Sequence, residues 1–205
     1  MKSEFSVVIA TFGDETVWAP LAYKALRSVS RQTREPKSVS RVHGATLAAA
    51  RNQGAAEATG EWLIFLDADD ELDPRYIEAL EAAAHALVGT QRALLKPATL
   101  GVYPDGSTDD QPAMIEPRPL LEANHLVIGT AMRRAEFGES GGFAELPCLE
   151  DWDLFIRLQI NGAIPVEVPD AVYRVGVWPH SRNADPHLHG QVYCAIRDRY
   201  ANFAR

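Results

Sequence analysis

Long apolar runs, cysteine and basic charge are all scarce in this sequence. No segment approaches the length of a membrane span. The N-terminal MKSEFSVVIATF is too short in apolar run for a signal peptide. The chain is therefore expected to be soluble and cytoplasmic, with any membrane contact peripheral. The two cysteines, Cys148 and Cys194, lack metal-site spacing. Reduced thiols are the expectation in a reducing compartment, with a disulfide between them as the alternative. Acidic residues outnumber basic ones, 28 to 20, and the net charge of -8 argues against a general nucleic-acid binder. No internal repeat and no long linker interrupts the chain, which points to one domain.

What is present is a core. Of 205 residues, 46% are apolar, enough to exclude global disorder and to support one substantial α/β domain. Ser6–Ala10 (SVVIA) reads as a buried strand, and Phe12-Gly13-Asp14 breaks it. Val17–Arg31 reads as a helix, Ser38–Val42 as a weakly signalled strand, and Ala45–Ala58 as an alanine-rich helix. Glu61–Leu66 (EWLIFL) is the strongest strand signal and runs straight into Asp67-Ala68-Asp69-Asp70. Asp73 is placed to cap a helix reaching about Leu87, with Pro74 in its first turn. Further on, strands are expected at Ala93–Leu95, Leu126–Met132, Ile164–Val168 and Ala171–Val175. A short helical piece begins at Glu136, and longer helices cover Asp151–Gln159 and Gln191–Phe203. The alternation predicts a mainly parallel sheet flanked by helices. Lys24, Arg27, Arg31, Arg34, Lys37 and Arg41 cluster in sequence. They read first as a solvated face and second as a surface for phosphates, lipid headgroups or DNA.

Several polar residues stand out. Asp67 and Asp69 follow an apolar strand, so their carboxylates stand where the sheet opens, the edge at which α/β sheets bind ligands. Mg²⁺ and Mn²⁺ are hard ions that take carboxylate, water and phosphate oxygens. One carboxylate can hold such an ion against a diphosphate while the other orients water or a ribose. Turn and capping work is the plain alternative, and the position after WLIFL favours the metal. Arg51 carries a fork suited to phosphate or carboxylate, and Asn52 both donates and accepts. Surface solvation would explain Arg51 but not Gly54, which signals close packing or a nearby ligand. Asp151, beside Glu150, is either a helix cap or a general base for a hydroxyl. His187 and His189, two apart, offer one or two metal ligands, and His180 has the same standing. His43 and His125 read as structural or exposed. Arg174 ends a strand-like segment, where it would meet a phosphate or one of the many carboxylates.

Taken in order, SVVIATF, AARNQGAAEATGEWLIFLDADDEL, IGTAMRRAEFGESGGF, LEDWDLFIRLQINGA and VYRV resemble the motifs of family-2 glycosyltransferases. The resemblance spans nearly the whole chain. It implies a single GT-A-like domain over residues 1–205, with 1–90 as the nucleotide-sugar-binding half and 91–205 as the acceptor and catalytic half. It implies a nucleotide-diphosphate sugar as donor, Mn²⁺ or Mg²⁺ on Asp67 and Asp69, and inversion at the anomeric carbon. Thr11 and Phe12 would lie in the nucleotide-contacting loop after the first strand, with Arg51 and Asn52 near the donor. Asp151 would be the catalytic base. Arg174 and the loop after it would lie over the diphosphate or the acceptor side, and Gly141 and Gly142 would let the backbone pass near the acceptor. The acceptor would be a hydroxyl on a glycan, lipid, small molecule or modified DNA base. The oligomeric state is open.

One departure is large. The interval QTREPKSVSRVHGATLAA holds no aspartate where the family carries a second-strand acidic motif that reads a uridine ring. Base preference is open as a result. Pro104–Asp110 (PDGSTDD) resembles that motif in letters but falls elsewhere in the chain and reads as a loop. The family's YR-x-H becomes Tyr173-Arg174-Val175-Gly176, with His180-Ser181 as a candidate replacement. A nucleotidyltransferase is one alternative, opposed by the missing glycine-rich, lysine-containing loop after the first strand. A nucleotide-sugar-binding protein without activity is the other, opposed by the joint presence of Asp67, Asp69 and Asp151.

Overall fold

A computed structural model describes residues 3–87, 91–178 and 185–203. The chain opens as two βα units and a third strand: β1 (Phe5–Phe12), α1 (Glu15–Ser30), β2 (Ser38–Gly44), α2 (Leu47–Glu57) and β3 (Trp62–Asp67). β1 pairs in parallel with β2 on one side and β3 on the other. A strand flanked on both edges and covered by helices must be apolar throughout, and FSVVIAT is buried from end to end. Local chemistry sets the helix starts. The Asp14 side chain caps α1 through Thr16 N, and the Thr46 hydroxyl caps α2 through Ala49 N. Gly54 lets α2 lie close on β1, since a Cβ there would come within 2.3 Å of Val8 Cγ1.

After β3 come β4 (Glu71–Leu72), α3 (Tyr76–Ala86), β5 (Ala93–Val102), β6 (Met132–Arg133), α4 (Arg134–Glu139), α5 (Glu150–Ile160), β7 (Ile164–Gly176) and α6 (Pro186–Tyr200). They complete two sheets, ordered β2-β1-β3-β6 and β4-β7-β5. β6 and β4 run antiparallel to their neighbours, so the expected mainly parallel sheet is two mixed sheets. One continuous core runs from Phe5 to Tyr200. Among the described residues, no helix is long and apolar enough to cross a membrane.

Several expected elements change shape. Leu126–Met132 is apolar enough for a strand, yet only Met132 and Arg133 pair with β3. Within it Thr130 N turns back to Val127 O, and Gly129 lies so close to the Tyr173 ring that a Cβ would meet it at 2.1 Å. The strands expected at Ile164–Val168 and Ala171–Val175 are one strand, β7, whose register with β5 shifts between Pro97 and Ala98. Asp73 does not cap α3, which starts at Tyr76 behind Arg75. The Asp73 side chain instead reaches Arg174, at 3.0 Å. α6 begins earlier than Gln191, because Asp185 caps it and Pro186 fills its first turn. Cys148 is buried, Cys194 is exposed, and neither forms a disulfide.

Candidate active site

The chain leaves β1 for β2 on one side and later returns to β3 on the other. The crevice outside the C-terminal ends of β1 and β3 is therefore the switch point at which such sheets take ligands. Thr11 and Phe12 end β1, and Asp67 ends β3. Thr11 Oγ1 lies 3.0 Å from Nδ1 of His43, at the end of β2. The Asp67–Asp70 turn is pinned to the second sheet. β4 pairs with β7, and Gly176 N donates to Asp70 Oδ1 at 2.7 Å. The Tyr173 hydroxyl accepts from Asp67 N at 3.2 Å and hydrogen-bonds the Asp70 side chain. Burial pushes the Asp70 carboxyl well above its usual range, and the negative charges of Asp67 and Asp69 push it further.

Arg51 occupies the space between β3 and α5. Its guanidinium donates to Asp67 Oδ1 at 2.5 Å and to Glu150 Oε1 at 2.6 Å, and it packs 5.0 Å over the Phe143 ring. With 2% of its side chain exposed, Arg51 is no solvated surface residue, which corrects the plain reading of its helix. Burial works against its charge, yet Asp67 and then Glu150 outweigh that and hold its pKa above the ordinary value. Asn52 also spends its amide on protein, accepting from Phe143 N at 2.8 Å and donating to Phe143 O at 2.9 Å. That pair fixes the turn at Gly141 and Gly142, both with positive φ.

Asp151 stands inside the first turn of α5. The residue before the helix is Leu149, at φ 59°, so Asp151 is not the N-cap. Its Oδ1 accepts from Trp152 N at 2.8 Å, and its Oδ2 from Asn124 Nδ2 at 3.2 Å. The neighbouring Trp152 is locked by its Nε1 bond to Leu120 O at 2.6 Å and by stacking on Tyr193. Part of Asp151 remains on the cavity surface, yet burial raises its carboxyl to about 6. The negative charge of Glu150 adds to the rise, while Arg51 and the Trp152 N–H oppose it.

Asp67, Asp70, Arg51, Glu150 and Asp151 all line one cavity of about 440 Å³. Ile115, Leu126, Val127 and Ile128 give it an apolar wall, and Thr99, Gly101, Asp109 and Val175 complete it. Asp69 opens instead on a neighbouring space of about 160 Å³, beside Lys24, Arg174, Tyr103 and Trp178. The structure thus brings Asp67, Arg51 and Asp151 together and sets Asp69 and Arg174 next door. Glu150 and Asn124 are the residues that sequence reasoning left without a role. Glu150 was signalled only by standing beside Asp151, and Asn124 by nothing local.

Among the described residues, no group of three His, Cys, Asp or Glu side chains is placed to cage a metal ion. Mg²⁺ does not need such a cage, because one or two carboxylates plus substrate phosphates and water complete its shell. Asp67 and Asp69 are hard oxygen donors of that kind, two residues apart on one turn, although they open on neighbouring cavities. His187 and His189 fall in the first turn of α6 rather than in a loop. At about 100° per helical residue, a spacing of two turns their side chains away from each other. His187 Nε2 lies 2.9 Å from Gln191 Nε2, and neither histidine lines either cavity. His180 and Ser181 lie outside the described residues. The basic cluster is partly neutralised, since Lys24 pairs with Glu71, Arg34 with Glu81 and Lys37 with Glu4.

Residues 37–90, from the approach to β2 through the Asp67–Asp70 turn and α3, match the family described as Glycosyl transferase family 2. The fold resembles that of S. aureus TarS. Residues 1–349 of TarS in complex with UDP-GlcNAc match with a TM-score of 0.69 at 18% identity, over 96% of this chain and 64% of that one. The complex of the same piece with UDP matches with a TM-score of 0.63 at 20% identity, over 87% and 61%. A longer TarS structure gives 0.65 at 19% identity, over 96% of this chain and 39% of that one. The chain therefore spans less than two thirds of these relatives. No curated protein matches it. The resemblance to family-2 glycosyltransferases thus has two supports, a family match around the Asp67 turn and a GT-A-like α/β fold over nearly the whole chain.

Proposed function

We propose that the chain transfers a sugar from a nucleotide-diphosphate sugar to an acceptor hydroxyl by a single inverting displacement. The observation that carries this reading is Asp151, a carboxyl raised to about 6 on the wall of the cavity that also holds Asp67. A base with that pKa is charged at neutral pH and still basic enough to take a proton in a transition state.

The donor would lie in the crevice bounded by Thr11, Phe12, Asp67 and Asp69, and its class is supported by the likeness to TarS, whose structure is a complex with UDP-GlcNAc. Residues 1–90 supply this donor side, and 91–205 supply the acceptor side and the base. Asp69, with Asp67 two residues before it, would hold Mg²⁺ or Mn²⁺, which would supply Lewis-acid stabilisation of the leaving diphosphate. Arg51 fixes the Asp67 carboxylate, and Tyr173 and Gly176 fix the turn beneath it. Asp151 accepts the proton of the acceptor hydroxyl as its oxygen bonds to the anomeric carbon. The bond to the diphosphate breaks, and its electron pair leaves with the phosphate. Most of the rate comes from placement and charge stabilisation. The apolar wall of Ile115 and Leu126–Ile128 suits the less polar face of a glycan, lipid or small-molecule acceptor. The net charge of -8 does not favour DNA. Arg174, tied to Asp73 beside Asp69, is available to the diphosphate side. His187 and His189 are not needed.

A panel of nucleotide sugars with Mn²⁺ or Mg²⁺ tests the reading. Slow hydrolysis of a donor should release free nucleoside diphosphate. Release of pyrophosphate would point to a nucleotidyltransferase instead, and tight binding without turnover to a nucleotide-sugar-binding protein.

A further inference from the structure

The segment between β5 and β6 has little regular structure, yet it is strapped firmly across the site. Leu120 O takes the indole N–H of Trp152, and Glu122 O takes the Tyr193 hydroxyl at 2.8 Å. Asn124 follows, and Leu126–Ile128 then form the cavity wall. The orientation of the Asn124 amide is set by its partners. Leu126 N, which can only donate, faces Oδ1 at 3.1 Å, so Nδ2 is the atom that meets Asp151 Oδ2 at 3.2 Å.

We infer that Asn124 is a positioning residue for the base, holding the Asp151 carboxylate in its cavity-facing orientation with a neutral donor from the strap. The inference rests on Asp151 being the base. The carboxylate has two fixed donors, one per oxygen: the Trp152 N–H on Oδ1 and the Asn124 amide on Oδ2. A carboxylate held at both oxygens is fixed in its rotamer and plane. The charges around it are mostly negative: Glu150 on its own helix, Asp67 on β3, and Asp70 and Asp109 on the same cavity, against Arg51 from α2. In that setting an amide stabilises the charged form without adding a charge or a rival proton acceptor. Aspartate at position 124, nearly the same size, would add both.

The pH profile of kcat separates this role from simple support. Activity of the wild type should rise with pH through about 6, the value to which Asp151 is raised. Asn124→Ala should move that midpoint up by about half to one pH unit, and Asn124→Asp by more, with donor Kd unchanged. A purely structural residue would lower kcat equally at every pH. If Asn124→Ala does not fold, the nearly isosteric and uncharged Asn124→Leu carries the test instead. A midpoint that stays put in every folded variant overturns the assignment. Failure of the underlying reading has a different signature, full transfer activity in Asp151→Asn.

Discussion

Arg51 and Glu150 lie 99 positions apart in sequence and 2.6 Å apart in space, each with 2% of its side chain exposed. A charge so deeply buried is tolerated only because it is paired, and the second arm of Arg51 reaches the carboxylate of Asp67. One guanidinium thus fastens the donor-side turn to the helix that carries Asp151.

Removing that guanidinium leaves two carboxylates without their shared partner. Arg51→Ala should destabilise the fold by about 3–5 kcal/mol, the usual cost of breaking a buried pair from one side. Arg51→Lys should recover only part of this, because an ammonium is a point charge and cannot serve two carboxylates as a fork does. Urea unfolding of the three proteins at pH 7 checks both statements. Wild-type stability in Arg51→Ala would contradict them.

Asp151→Asn should lower kcat by about 10²- to 10⁴-fold and leave donor Kd nearly unchanged. It should also change stability in a pH-dependent way. The folded-state carboxyl is raised from 3.8 to about 6, so the folded protein holds this proton where the unfolded chain has released it. Stability from this group is present in full below about pH 4 and is lost as pH rises through 6. The variant should therefore gain up to roughly 3 kcal/mol over wild type at pH 7–8, about 2 pH units at about 1.4 kcal/mol each, and little near pH 4. Melting curves at both pH values, beside turnover, read the two effects separately.

Asp69→Ala should abolish most metal-dependent donor binding. Titration calorimetry of the donor with Mn²⁺ and then with EDTA measures it. Equal wild-type affinity in both conditions would remove the metal from the proposal.

What the sequence made legible was whatever depended on neighbours in the chain. An apolar run ending in Asp67-Ala68-Asp69 announces a strand and the turn at its open end. The acidic pair before Trp152 was visible for the same reason. The caps at Thr46 and Asp14 lie within three residues of their targets yet were not read from the sequence, whereas the cap expected at Asp73 is absent. Arg51 was legible as a cation but not as a bridge, because both of its partners are set by folding. Asn124 was invisible because a single asparagine in an irregular stretch carries no periodicity. The Leu126–Met132 stretch misled for the opposite reason. Its apolar composition suits a strand, but tertiary contacts around Gly129 hold Leu126–Ile128 as a cavity wall instead. Pro97 similarly hid the length of β5, which continues past it at the cost of a register shift.

The two-residue strand β4 has a consequence out of proportion to its length. It belongs to the N-terminal half by sequence but is hydrogen-bonded to β7 of the other sheet, at Glu71–Arg174 and Leu72–Tyr173. The Tyr173 hydroxyl then serves the backbone of Asp67 itself. The donor-side carboxylates are thus shaped by a strand that a ribosome makes about a hundred residues later. During synthesis the early βα units can collapse on their own apolar faces, with Arg51 already on Asp67, but the turn lacks its Tyr173 and Gly176 contacts until β7 arrives. The final shape of the turn comes as one late event, and a chain cut between the halves would regain it only by reassembly of the two pieces.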